Sequence, residues 1–75
     1  MLTEKQIRVL ELDARGMSKK DIIQSTGLNR STVDYALKKG KKNIETMIDN
    51  FEHLVKNQLL DKEQTIRLKS LLDYF

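Results

Sequence analysis

Cysteine, tryptophan and proline are absent from this 75-residue chain, and glycine occurs only three times. Without thiols no disulfide can brace the fold and no thiolate metal site can form. A single histidine argues against a structural zinc site as well. No apolar stretch approaches the ~18 residues that a membrane span needs. The opening MLTEKQ has no basic segment leading into an apolar one, so it does not read as a secretory leader, and a cytoplasmic location is expected. Low-complexity tracts and internal repeats are missing too.

What is present is helix-forming. Leu, Lys, Ile, Glu, Asp and Gln dominate, which argues for an all-α fold and against a small barrel or sandwich. A chain of this length makes one domain with a small core, and oligomerisation is a common support for such scaffolds. The net charge of +3 is unevenly placed. Residues 1–42 hold ten Lys/Arg against five Asp/Glu, and residues 43–75 hold four against six. A basic half joined to a slightly acidic half points to two jobs, one of them at a polyanion.

Thr3 followed by Gln6 has capping-box spacing. Ile7, Leu10 and Ala14, widened by Val9 and Leu12, predict an inward stripe on a helix from about Glu4 to Arg15, ended by Gly16. Ser18 with Asp21 opens a short helix over Lys19–Thr26, which Gly27 ends. Asn29 is a good N-cap for a third helix starting at Arg30, with Val33, Ala36 and Leu37 inward. From Val33 the positions Leu37, Gly40, Ile44, Met47, Phe51, Leu54 and Gln58 advance by alternating steps of four and three. That heptad phase predicts one helix to about Asn57; a stop at Gly40 and a fresh helix from Asn43 is the alternative. Asp61 with Gln64, then Leu68, Leu71, Leu72 and Phe75, predict a last amphipathic helix from about Lys62 to the end. The short NQLLD turn is expected to fold it back antiparallel on the third helix.

Two short helices joined by a tight turn, with Gly27 at the turn and Leu28 after it, have the pattern of a helix-turn-helix. Ile22, Leu28 and Val33 must meet in one small core, leaving the outer side of the second helix free for a major groove about 12 Å wide. The stretch LTEKQIRVLELDARGMSKKDIIQSTGLNRSTV resembles the DNA-binding domains of LuxR-type regulators and of region 4 of bacterial sigma factors. Members open with Leu-Thr-x-x-(Glu/Gln) and a Val-Leu-rich helix. A Gly-hydrophobic-(Ser/Thr) link, an Ile-Ala pair and Gly-hydrophobic-Ser-x-x-Thr-Val follow. The resemblance covers about the first 44 residues, and through NIE the chain is also similar to archaeal Tfx-type regulators. Ile23, Thr26 and Gly40 depart from the pattern, standing where a small residue, a larger apolar one and an apolar one are usual.

The resemblance implies groove-facing positions at Asn29, Arg30, Ser31, Asp34, Tyr35 and Lys38. Arg30 suits guanine, Asn29 suits adenine, and each such bidentate contact is worth ~1–3 kcal/mol of discrimination. Asp34 is expected to accept from a cytosine amino group, to pair with Arg30, or to point away. Phosphate contacts are expected from Ser18, Lys19, Lys20, Thr32, Lys39, Lys41 and Lys42. Alone, the four lysines Lys38, Lys39, Lys41 and Lys42 would read as a solvated helix face, and partly buried packing is the plain alternative for Tyr35.

The second half carries a stripe of Ile44, Met47, Ile48, Phe51, Leu54 and Val55, continued by Leu59 and Leu60. It is too wide for one partner helix. Either it packs on the first and last helices of its own chain, or it is a homodimer seam joined by Leu68, Leu71, Leu72 and Phe75; the seam is the favoured reading, since two half-sites multiply affinity. No Gly-rich phosphate loop, working carboxylate pair or base histidine beside the Ser/Thr residues is evident, so no enzyme is expected. Neither a cofactor nor a small-molecule ligand is indicated. The sequence thus points to a duplex-DNA-binding transcriptional regulator, with residues 1–42 as the reading region and 43–75 as a dimerising helical hairpin. An adaptor gripping a transcription or replication assembly by the same helix is the alternative.

Overall fold

The computed structural model describes residues 1–75 and holds four α-helices and no strand. They are α1 (Glu4–Ala14), α2 (Lys19–Thr26), α3 (Arg30–Lys56) and α4 (Lys62–Leu71), followed by a 3-10 turn at Leu72–Tyr74. No helix is long and apolar enough to cross a membrane.

Each helix begins where a side chain takes over an orphan backbone donor. Thr3 Oγ1 accepts from Gln6 N at 3.1 Å while Thr3 N donates to Gln6 Oε1 at 3.2 Å, a complete capping box. Asp61 and Gln64 form a second complete box at α4. Ser18 caps α2 through Asp21 N, without the return bond. Asn29 caps α3 through Thr32 N at 2.8 Å.

The helix ends are equally local. At α1, Gly16 has φ +85°, Met17 N donates to Leu12 O and Gly16 N to Asp13 O, which is the Schellman pattern. At α3 the same pair of bonds closes the helix, from Leu59 N to Leu54 O and from Gln58 N to Val55 O. Here the left-handed residue is Gln58, φ 54°, rather than a glycine. At the end of α2, Gly27 (φ 71°) turns the chain toward α3. Thr26 Oγ1 donates to Ile22 O at 2.7 Å and accepts from Leu28 N at 3.3 Å, so the hydroxyl serves the turn directly.

The core belongs to the first forty residues. Val9, Leu12, Ile22, Val33, Ala36 and Leu37 are buried together, with Leu10, Met17, Ile23 and Leu28 packed around them. The expected inward stripe of α1 is displaced: Ile7 is 41% exposed and Ala14 is exposed, while Gln6 is buried. Gln6 can go inside because its Oε1 accepts from both Thr3 N and Asn43 Nδ2, which leaves no orphan acceptor. Turning α1 this way points Val9 and Leu12 at α2 and α3.

α3 passes through Gly40 without a break, as the heptad phase predicts. Gly40 is buried, and a Cβ there would meet Leu10 Cδ1 at 2.8 Å. The glycine therefore admits a side chain of α1, and α1 follows the seam of α3 as far as Asn43, whose Nδ2 reaches Gln6 and Met1 O. Beyond that point no residue is buried. The backbones of α3 and α4 do not approach closely. Phe51, Leu54, Val55, Leu60, Leu68 and Leu72 instead line an open groove between the two helices. Nor does α4 run regularly to the end of the chain, since its last turn tightens at Leu72.

Candidate nucleic-acid interface

α3 is held on one side and free on the other. Val33, Ala36, Leu37 and Gly40 are buried against α1 and α2. Ser31, Tyr35, Lys38 and Lys42, spaced by four, three and four residues, form an exposed row on the opposite side. Tyr35 is 64% exposed, which makes it a wet side chain rather than packing.

Arg30 is the first residue of α3, is exposed and makes no ion pair. Lys20, Lys38, Lys39 and Lys42 are likewise exposed and unpaired. Two of the expected phosphate contacts are engaged. Lys19 Nζ lies 2.7 Å from Asp34 Oδ1, and Lys41 Nζ lies 3.4 Å from Asp13 Oδ2. Lys41 thus turns back toward α1. Ser18 is exposed; its Oγ accepts from Asp21 N in the α2 cap, which leaves the O–H free to donate. Thr32 is half-buried and donates its N–H to Asn29.

Asp34 is half-exposed, and its Oδ1 is covered with only the Lys19 ammonium beside it. The hydrogen bond and charge of Lys19, helped by Arg30, hold its carboxyl below the ordinary 3.8 against a smaller opposing effect of desolvation. Asp34 makes no ion pair with Arg30 and instead ties α3 to α2 through Lys19. Asn29 is also committed, because its Oδ1 accepts from Ser31 Oγ at 2.9 Å as well as from Thr32 N.

Family models, characterised proteins and solved structures were compared with the chain, and none matches.

Three further residues were not marked in the sequence, and of these Lys5 borders the exposed row itself. Gln24 lines a shallow depression with Lys19, Lys20 and Arg30, where the start of α3 meets α2. Lys5 borders another, with Ser31, Thr32 and Tyr35, at the start of α1. Asn43 fastens α1 to α3. Lys5 and Gln24 had no signal of their own, since each is an ordinary polar residue until α1 and α2 are placed beside α3. Past Lys42 the outer side of α3 changes sign, with Glu45, Asp49 and Glu52 replacing the lysines.

The remaining expected residues are in the second half. Ile44, Met47, Ile48, Phe51, Leu54 and Val55 are all exposed, from 37% at Leu54 to 52% at Ile48. On α4 and the turn after it Leu68 is half-buried, while Leu71, Leu72 and Phe75 are exposed.

Proposed function

We propose that this chain is a sequence-specific double-stranded-DNA-binding transcriptional regulator. It reads a major groove with the start of α3 as the second helix of a helix-turn-helix, and it works as a homodimer through residues 43–75. One observation carries the reading. The row Ser31, Tyr35, Lys38 and Lys42 is wet and accessible on a helix whose other side is anchored by the core. Its flanks, Arg30, Lys20 and Lys39, are exposed and unpaired, so they cost little to move onto phosphates. The acidic second half of α3 then keeps the rest of the helix off the polyanion. The resemblance of the first half to LuxR-type and sigma region 4 domains supports the same reading.

The roles divide by chemistry. Arg30 and Tyr35 suit base edges, and Lys38 suits either a base or a phosphate. Lys20, Lys39 and Lys42 suit phosphates. The apolar stripe from Ile44 to Val55 suits a second copy. No cofactor and no catalytic group enters this function.

A gel-shift series against mixed-sequence duplex at rising salt is the test. With about five phosphates neutralised, log K is expected to fall against log salt with a slope near −4.5. Lys42→Ala should make the slope shallower by about 0.9. Arg30→Ala should cost about 1–3 kcal/mol on a selected site and flatten the preference among sites. If no duplex is retarded even at low salt, the proposal fails.

A further inference from the structure

We infer that a dimer of this chain holds two separate duplexes, one on each side, instead of two half-sites of a single duplex. The inference rests on the DNA-binding reading above and adds to it the bearing of the dimer seam.

The seam is the continuation of the buried side of α3. Ile44, Met47, Phe51 and Leu54 follow Val33, Leu37 and Gly40 in one heptad phase, and α1 covers that line only as far as Asn43. Beyond it the line is open, with α4 standing across a groove from Phe51, Leu54 and Val55. Large apolar side chains stay exposed on the second half of α3, on α4 and on the turn after it, and apolar surface left open in this way marks an interaction site. A second copy is the occupant that fits this surface. One flank of the seam is Asn43, Asn50 and Asn57, seven residues apart. In an antiparallel pair centred on Asn50, that residue meets its own copy, where a charge would repel itself but an amide both donates and accepts.

The geometry follows from one helix carrying both surfaces. Tyr35 at the centre of the exposed row and Phe51 at the centre of the seam are sixteen residues apart on the unbroken α3. At about 100° per residue they point about 160° away from each other. Any two-fold axis that sets two seams face to face turns the outer sides away from one another, whether the helices run parallel or antiparallel. Two half-sites on one straight duplex demand recognition surfaces that face the same side, about 34–36 Å apart. Opposed surfaces meet two duplexes.

The experiment is a bead capture with the full chain. A mixed-sequence duplex is immobilised, and a second, fluorescent duplex is offered with and without protein at low salt, where sequence-independent binding operates. The fluorescent duplex is expected to be retained at least ten-fold above background only with protein. Phe51→Asp lies outside the buried core, so residues 1–40 keep their fold. That variant is expected to sediment as a monomer, to retard a single duplex more weakly, and to capture no second one. A wild-type chain that retards a duplex but captures no second one, or that stays monomeric, overturns the inference while the DNA reading stands. Undiminished capture by Phe51→Asp overturns it too, since bridging would then not pass through the seam. If the wild-type chain retards no duplex at all, the underlying reading falls and takes this one with it.

Discussion

Asn29 has one side-chain oxygen, and two donors already occupy it. A bidentate grip on adenine needs that oxygen together with the amide nitrogen. Only the nitrogen is free, so Asn29 contributes at most one base contact while the cap holds. Asn29→Ser keeps a capping oxygen and should leave stability within about 0.5 kcal/mol, whereas Asn29→Ala should cost about 1 kcal/mol in urea unfolding. Equal DNA affinity in the serine variant would remove Asn29 from the reading set. Asp34 makes a separate prediction. Asp34→Asn removes a negative charge beside the exposed row and frees Lys19, so binding to arbitrary duplex should tighten and its salt slope steepen by about 0.9. The carboxyl is held low in the folded chain, so the stability it adds is present above 3.8 and lost as pH falls through the lowered value. Any stability gap between wild type and Asp34→Asn at about pH 7 should therefore close in strong acid. The caps at Thr3, Ser18, Asn29 and Asp61 were legible because each is an exchange within one turn of chain. The Lys19–Asp34 tie was not, because it depends on how α2 crosses α3.

Helix ends here obey one rule with two different residues. Gly16 and Gln58 occupy the same left-handed position in the same hydrogen-bonding pattern. A side chain at that φ costs roughly 1–2 kcal/mol, so Gln58→Gly should raise stability by about 1 kcal/mol, read by thermal or urea unfolding. The first stop announced itself as a glycine; the second carried no such mark, and only the end of the heptad phase gave it away. Gly40 shows the opposite situation, a glycine that stops nothing. Its missing Cβ is where Leu10 sits. Gly40→Ala gains helix propensity but must push a half-buried leucine methyl aside, and the two effects should nearly cancel, within about 1 kcal/mol. Gly40→Leu has no such escape and should lose about 1–3 kcal/mol. α1 was the least legible element. Its apolar residues at 7, 9, 10, 12 and 14 fit two different phases, and the choice between them is made by Gln6, a polar residue that earns no place in an apolar stripe.

The fold as a body is lopsided. Every buried apolar residue comes from positions 9 to 37, and residues 43–75 contribute none. Isolated helices of this length are marginal in water, so a dimer of the kind proposed should order the second half more than the first. Hydrogen exchange at a range of protein concentrations should show amides of α1, α2 and the start of α3 protected throughout. Those beyond Ile44 should become protected only where sedimentation shows dimers. Concentration-independent protection along all of α3 would argue that the tail needs no second copy. The amphipathic pattern of the tail was plain in the sequence, but a pattern states that a face needs covering and leaves open what covers it. The unbroken passage of α3 through Gly40 makes the shaft behave like a keyed axle. One residue inserted after Lys42 rotates the tail by about 100° relative to the head, so that an antiparallel pair would swing both heads toward a common side. Seven inserted residues would restore the original bearing to within about 20° and merely lengthen the reach by about 10 Å.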